Sequence, residues 1–264
     1  MCAEGSTAAT DADASDGVLR LTLMRGFRLQ HRHSSIEVPR ATQRLLAFLA
    51  VCGATERSTV AGTLWPDVDE DRARGSLRTA AWRVTRSGHS VIEARGSRLV
   101  LASTVSVDSS SLADRARRLI NGTAQGPYDI GYLMRGDLLP DWCEDWVLFE
   151  RERLRQLRLH ALEALALRLV DQGHHGEALE AALEAVRIEP LRESAQRAVI
   201  TVHMAEGNAI EALRCYAAFR EMLRDELGVE PSTLITGLLP GIAAARAYGG
   251  DEPAWRYRGH SGGA

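Results

Sequence analysis

Residues 69–86 read Asp-Glu-Asp-Arg-Ala-Arg-Gly-Ser-Leu-Arg-Thr-Ala-Ala-Trp-Arg-Val-Thr-Arg, and this stretch decides the fold of the N-terminal half. Its apolar residues recur three and four positions apart, which is the period of one face of an α-helix. Asp69 is placed to cap that helix, and Glu70 and Asp71 suit the positive end of its dipole. The other faces carry five arginines. The stretch therefore predicts a short helix with a small apolar face and a broad cationic face.

The segments on either side of this stretch predict a small mixed domain. Residues 18–29 alternate apolar and polar side chains, as a half-buried strand does, and residues 35–39 predict a short strand that returns beside it. Apolar periodicity predicts helices over 40–52 and 58–65, while residues 91–102 predict a hairpin with glycine at its tip. This order is typical of a winged helix-turn-helix, in which the third helix enters the major groove of DNA and the hairpin forms the wing.

Charge is distributed unevenly along the 264 residues. The net charge is −3, but residues 18–103 hold 14 arginines against 7 acidic residues, whereas residues 104–264 hold 18 arginines against 24. A cationic half joined to an acidic half favours a polyanion-binding domain attached to a second domain. The chain contains no lysine, which excludes a phosphate-loop lysine and a Schiff-base lysine.

Composition also narrows the class of protein. No window approaches an uncharged apolar membrane span, and residues 1–17 lack the features of a secretory signal, so we interpret them as a disordered tail. Cys2, Cys52, Cys143 and Cys215 are scattered, which predicts neither a disulfide framework nor a zinc site and favours a reducing cytoplasm. The motifs of a hydrolase triad, a zinc protease and a phosphate loop are absent from the sequence, so we expect no enzyme activity, no metal and no cofactor.

The second half of the chain predicts stacked helices. Helical periodicity extends from about residue 142 to 170, and Gly173 and Glu177 recur as Gly207 and Glu211, an offset of 34 residues. That offset is the period of tetratricopeptide repeats, whose paired helices expose a concave groove suited to protein partners. The predicted fold class is therefore an α+β winged helix-turn-helix followed by an all-α, tetratricopeptide-like domain of helical hairpins. The predicted boundaries are 18–104 for the first domain, 105–240 for the second and 241–264 for a flexible tail.

Six motifs between residues 18 and 240 resemble one known family. They are Leu64-Trp65-Pro66-Asp67, Ser76-Leu77-Arg78-Thr79-Ala80-Ala81-Trp82-Arg83, Gly136-Asp137-Leu138-Leu139-Pro140, Trp146-Val147-Leu148-Phe149-Glu150-Arg151-Glu152-Arg153, Glu189-Pro190-Leu191-Arg192-Glu193-Ser194 and Leu223-Arg224-Asp225-Glu226-Leu227-Gly228-Val229-Glu230-Pro231. On these motifs the chain resembles the bacterial transcriptional activator family of the actinobacterial antibiotic regulatory protein (SARP) type. The resemblance implies an OmpR-type winged helix joined to a helical activation domain. Relatives often have arginine where this chain has Thr85, and that departure predicts weaker phosphate contact or an altered DNA site.

The candidate DNA-binding residues lie on the predicted recognition helix and on the wing. They are Arg72, Arg74, Ser76, Arg78, Thr79, Arg83, Arg86, Arg95 and Arg98. Arginine can bind phosphates and the edge of guanine, and small hydroxyl side chains can contact bases or phosphates. Each arginine could instead pair with a neighbouring acid, and Arg78 and Arg83 are the strongest candidates for DNA contact. Trp65 and Trp82 are expected to pack in the core or between domains rather than to stack on bases.

The function that the resemblance implies is sequence-specific transcriptional regulation. The expected protein is an activator that binds direct repeats near a promoter and recruits RNA polymerase. Its expected partners are double-stranded promoter DNA, the RNA polymerase holoenzyme through a sigma factor or another subunit, and a second copy of the chain on DNA, with no membrane. The expected location is the cytoplasm, at the nucleoid. Two alternatives stay open at this point: a tetratricopeptide-like adaptor with weak or lost DNA binding, and a regulator that senses a ligand in its helical groove.

Overall fold

A computed structural model describes residues 19–86, 88–124 and 129–238, so the predicted tails at 1–17 and 241–264 lie outside the described residues. The chain divides into two compact units between Ala161 and Leu162. The first unit contains, in chain order, β1 (Leu19–Thr22), β2 (Arg28–His31), β3 (Ser34–Ser35), α1 (Arg40–Cys52), β4 (Thr55–Glu56), α2 (Arg57–Leu64), α3 (Glu70–Thr85), β5 (Ile92–Arg95), β6 (Arg98–Leu101), β7 (Val105–Val107) and α4 (Asp108–Ile120). Helix α5 (Asp145–Asp171) includes the point of division.

The N-terminal sheet contains a turn where the sequence predicts continuous strand. Its strand order is β3-β2-β1-β7, with β1 antiparallel to β2 and parallel to β7. The prediction of one strand over 18–29 is wrong, because the chain reverses at Arg25 and Gly26, whose φ angles are 66° and 136°. Glycine adopts positive φ at little cost, whereas the alternation of apolar and polar residues continues on both sides of the turn and conceals it.

The three helices and the hairpin that follow confirm the predicted winged helix-turn-helix. Helix α1 has the predicted bounds and ends at Gly53, whose φ of 71° lets its N–H donate to the Leu49 carbonyl at 3.0 Å. Leu49, Leu64 and Leu77 bring the apolar faces of α1, α2 and α3 into one buried cluster. Strands β5 and β6 form the predicted hairpin, and β4 pairs with β6 in the strand order β4-β6-β5. The core thus fixes one side of α3 and leaves its other side at the surface.

The loop before α5 is held to the N-terminal sheet by backbone hydrogen bonds. The N–H of Arg25 donates to the Asp137 carbonyl at 2.8 Å, and the N–H of Leu139 donates to the Leu23 carbonyl at 2.9 Å. Arg158 of α5 is 1% exposed and donates to the carbonyls of Leu133 and Gly136 at 2.9 and 2.7 Å. The same Arg158 pairs with the Asp137 carboxylate at 3.2 Å. The Gly-Asp-Leu-Leu-Pro motif at 136–140 therefore has a structural role, because its Gly136 carbonyl and Asp137 carboxylate bind a buried arginine.

The second unit consists of helices, as predicted. Besides the end of α5 it contains α6 (His175–Ile188), α7 (Glu193–Ala205), α8 (Ala209–Leu227) and the short α9 (Thr233–Thr236). Ala178, Ala181 and Ala185 are fully buried in α6, and such small residues let paired helices approach closely. The repeated glycines Gly173 and Gly207 both have positive φ, 76° and 81°, between consecutive helices. These features confirm the tetratricopeptide-like hairpins.

Polar contacts explain two further motifs of the second unit. Arg192 and Ser194, from the motif at 189–194, both donate to the Glu163 carboxylate, at 2.6 and 2.7 Å. Glu230, from the motif at 223–231, accepts hydrogen bonds from Arg220 at 2.6 Å and from Arg224 at 3.0 Å. These motifs therefore join helix ends within the unit.

Candidate nucleic-acid interface

Helix α3 begins with the cap that the sequence predicts. The Asp69 carboxylate accepts a hydrogen bond from the backbone N–H of Arg72 at 2.9 Å. Ala73, Leu77, Ala80 and Val84 are buried, which leaves the cationic faces of the helix exposed. Local signals were sufficient for this element, because the cap and the apolar spacing lie within the same eighteen residues.

The predicted arginines of α3 fall into two groups. At the start of the helix, Arg72 pairs with Asp69 at 3.3 Å and Arg74 pairs with Glu70 at 2.5 Å, and all four side chains are exposed. Such surface pairs are weak, so DNA phosphates could displace the acids. The acids of the first turn nevertheless reduce the positive charge at this end of the helix.

Further along the helix, the arginines have no acidic partner among the residues that the structure describes. Arg78 and Arg83 are exposed, and neither forms an ion pair with any residue in the described ranges. Arg86 lies with its guanidinium carbon 4.9 Å from the centre of the Trp82 ring, a cation–π contact. Residues 75–86 contain no acid, so this segment of α3 presents uncompensated positive charge.

One flank of α3 borders a groove of about 530 Å³. The groove is lined from the helix by Arg72, Ser76, Thr79 and Arg83, and Trp65 also lines it. The Thr79 hydroxyl donates to the Gly75 carbonyl at 3.0 Å and keeps lone pairs that can accept a hydrogen bond. The groove thus brings together four of the predicted site residues.

The wing holds the two remaining candidates. Arg95 pairs with Glu93 at 3.3 Å, and Arg98 pairs with Glu56 of β4 at 2.9 Å. Hydrogen bonds from Ser97 and Arg98 hold the pKa of Glu56 below its usual range. Both arginines are exposed, but Arg98 also ties the hairpin to β4, so it has a structural contact that the sequence did not predict.

Two residues of this surface were not predicted as part of it. Trp82 was expected to pack in the core or between domains, yet it is 56% exposed on α3, so core packing is wrong. Trp65 is half-buried and packs against the helical core, in agreement with the prediction.

Arg57 is exposed at the start of α2, and its backbone N–H donates to the Ser97 carbonyl of the wing at 3.1 Å. The helical phase of Trp82 was available in the sequence, whereas the proximity of Arg57 to the wing depends on the non-local pairing of β4 with β6.

The described residues contain neither a membrane-spanning helix nor a cluster of metal ligands. No helix within them is long and apolar enough to span a membrane. In the same part of the chain, no group of three or more His, Cys, Asp or Glu side chains could hold a metal ion, and His174 and His175 belong to no such group.

Comparisons with known proteins bear on the predicted resemblance. Residues 132–242 match the family model described as the bacterial transcriptional activator domain. The regulatory protein AfsR of Streptomyces griseus is 27% identical over 266 residues, which cover 91% of this chain and 26% of AfsR. AfsR of Streptomyces coelicolor is 34% identical over 99 residues, which cover 38% of this chain and 10% of that protein. The chain therefore spans about a quarter or less of the length of the curated relatives it matches.

A solved structure shares the fold. EmbR of Mycobacterium tuberculosis, solved in complex with a low-affinity phosphopeptide, superposes with a TM-score of 0.65 over 86% of this chain and 65% of EmbR. The sequence identity is 15%, so this likeness concerns the fold alone. The family match over residues 132–242 and the AfsR relatives agree with the resemblance to the SARP type that the motifs quoted above carry.

Proposed function

We propose that the chain is a sequence-specific DNA-binding activator of transcription. The observation that carries this proposal is the exposed face of α3, where Arg78 and Arg83 have no acidic partner within the described ranges. An exposed arginine without a partner keeps all its donors available for phosphates and for guanine. In this proposal α3 occupies the major groove and the β5–β6 hairpin contacts the backbone or the minor groove.

The site residues of the proposal have different expected roles. Arg78 and Arg83 contact bases or phosphates directly, and Ser76 and Thr79 lie beside Arg83 along the groove. Arg72, Arg74 and Arg86 contact phosphates near the ends of the helix, and Arg95 and Arg98 do so from the wing. Because the acids at the start of α3 repel phosphates, we place the strongest contacts in the segment 75–86.

The helical domain, with functional boundaries at about 105–240, supplies the contacts with proteins in this proposal. Leu183 of α6 and Ile210 and Leu213 of α8 are 50%, 68% and 43% exposed, and apolar side chains at a surface favour a protein partner. We assign these contacts to RNA polymerase holoenzyme and to a second copy of the chain bound at a neighbouring direct repeat. The protein then acts at the nucleoid in the cytoplasm.

The test is binding of the full chain to promoter fragments of the genome at several salt concentrations. We expect a mobility shift whose association constant falls with salt, with a log–log slope of roughly −0.9 for each phosphate contact. Arg214→Ala is the matched control, because Arg214 is an exposed, ion-paired arginine of α8, and it should leave the slope unchanged. If no genomic fragment gives a salt-sensitive shift, the proposal is wrong and the adaptor alternative is favoured.

A further inference from the structure

Trp82 stands on the side of α3 directly away from the domain. The buried residues of the helix are Ala73, Leu77, Ala80 and Val84. At 3.6 residues per turn, Trp82 lies about 170° around the helix from the centre of that buried face. Its side chain is 56% exposed, although tryptophan gains much from burial. A large, exposed aromatic ring therefore lies opposite the buried face of α3.

Three exposed arginines close to Trp82 indicate what kind of surface this ring contacts. Arg78 and Arg86 lie one turn before and one turn after Trp82, and the Arg86 guanidinium stacks on the ring at 4.9 Å. Arg83 is adjacent in the chain and also exposed. An apolar ring surrounded by cations fits a surface that is negatively charged at its edges and apolar at its centre. The major groove has that arrangement, since phosphates border it and the thymine methyl group is exposed on its floor.

Gly75 lies two turns before Trp82 on the same side of α3. A Cβ at this position would meet no described atom closer than Arg78 Nη2, at 3.8 Å, so packing within the protein does not require glycine. Glycine within a helix costs stability relative to alanine, yet it lets another molecule approach the backbone closely. The side of α3 that runs from the half-buried Gly75 to the exposed Trp82 thus allows close approach at one end and apolar contact at the other.

We infer that Trp82 is a specificity-determining residue that contacts the C5 methyl group of thymine in the major groove. This inference rests on the proposed function and deepens it, because it names the base group that the recognition helix selects. Thymine is the base that carries an apolar group on its major-groove edge, so an indole ring discriminates in its favour. The arginines around Trp82 supply affinity for any sequence, while the ring supplies preference.

The experiment selects a duplex from a random DNA pool with the full chain and then replaces each thymine by uracil, which lacks only the methyl group. At the thymine under Trp82 we expect affinity to fall about fourfold, since one buried methyl contributes roughly 0.8 kcal/mol and 1.4 kcal/mol is a factor of ten. Trp82→Ala should bind thymine and uracil duplexes alike, whereas Trp82→Phe should keep part of the difference. Phe149→Ala is the control, because Phe149 is an 80% exposed ring outside the DNA-binding half, and it should keep the full difference.

The outcomes separate this inference from the proposed function. If no duplex is enriched, DNA binding fails and the inference fails with it. If a duplex is enriched but no uracil substitution weakens binding, or if Trp82→Ala keeps the discrimination, DNA binding stands and the role of Trp82 is overturned. A salt slope that is the same for Trp82→Ala and the unmodified chain would support an apolar contact, whereas a reduced slope would indicate a role through phosphate contacts and contradict it.

Discussion

Helices α3 and α5 are both rich in arginine, but they use it in opposite ways. Arg158 of α5 is 1% exposed and donates to the carbonyls of the loop at 133–137, whereas Arg78 and Arg83 of α3 are exposed with no acidic partner in the described ranges. Arg151 of α5 similarly donates to the carbonyls of Leu138, Leu139 and Trp142. A guanidinium with five donors can either satisfy buried carbonyls or remain available to a ligand. Burial and partners, rather than residue type, separate structural arginines from candidate binding arginines.

The buried arginine of α5 gives the largest expected effect. Arg158→Ala leaves the carbonyls of Leu133 and Gly136 without their donor, and each unsatisfied buried group is costly. We expect the free energy of unfolding to fall by about 3 kcal/mol, measured by urea denaturation. Arg153→Ala is the control, because Arg153 is a half-exposed residue of the same helix paired with Glu150, and it should cost less than ~1 kcal/mol. Equal midpoints for the two variants would contradict the structural role of Arg158.

Changing an exposed arginine of α3 should weaken DNA binding and leave stability almost unchanged, the opposite of the effect expected at Arg158. Arg83→Ala should weaken binding to the selected duplex by about 1–3 kcal/mol while the free energy of unfolding stays within ~0.5 kcal/mol of its original value. Arg72→Ala should weaken binding less, because Arg72 pairs with Asp69 and lies next to the acids of the first turn. Titration of a labelled duplex measures the binding of both variants, and urea denaturation measures the free energy of unfolding. A larger loss for Arg72→Ala would reverse our ranking along the helix, and unchanged binding by Arg83→Ala would show that another element reads the DNA.

Replacing Gly75 should change stability and DNA binding in opposite directions. Gly75→Ala should raise the free energy of unfolding by about 0.5–1 kcal/mol, because alanine is the better helix former and the added Cβ meets only Arg78 Nη2 at 3.8 Å. We expect the same variant to bind the selected duplex more weakly, since the methyl group would stand between the helix backbone and the DNA. Gly62→Ala in α2 is the matched control, because a Cβ there meets no described atom, and it should be stabilising with no loss of binding. A Gly75→Ala variant that is both more stable and equally tight would show that the backbone does not approach DNA closely.

The sequence predicted the secondary-structure elements of both regions better than it predicted which arginines are buried and paired and which are exposed. Helix α1 and helix α3 were placed correctly, because apolar spacing, Asp69 and Gly53 are local signals. Local signals of this kind could not show which arginines have a structural role. The partners of Arg158 lie more than twenty residues away in an irregular loop, and no periodic pattern reports such a contact.

Two other features show why long-range pairing and helical phase limit prediction. The parallel pairing of β1 with β7 joins segments about 85 residues apart, so β7 was assigned to no sheet in advance. Trp82 was expected to pack in the core or between domains because proteins that bind duplex DNA rarely need exposed rings. Its position relative to Ala80 and Val84, however, already placed it opposite the apolar face. In the candidate site, the identity of the nine predicted residues remains a prediction, while their exposure and ion pairs required the structure.

The smallest expected effect is at Glu230, an exposed acid of the second unit. Glu230 accepts from Arg220 and Arg224, and these hydrogen bonds lower its pKa from 4.5 to about 2. Because the folded pKa is lowered, the stabilisation is present above pH 4.5 and is lost as the pH falls from 4.5 toward 2. The group is exposed to solvent, so screening should leave no more than a few tenths of a kcal/mol. Glu230→Gln should remove this part of the acid dependence of unfolding, measured by thermal denaturation between pH 5 and about 2.5. Glu226→Gln, at an exposed acid near the end of α8, should keep it. If both variants lose stability in parallel with the unmodified chain as the pH falls, the guanidinium pairs at Glu230 contribute nothing measurable to stability. The arginines of this chain would then contribute to folding by binding buried carbonyls, as Arg158 does, and to DNA binding through donors without a partner in the described ranges, as Arg83 does.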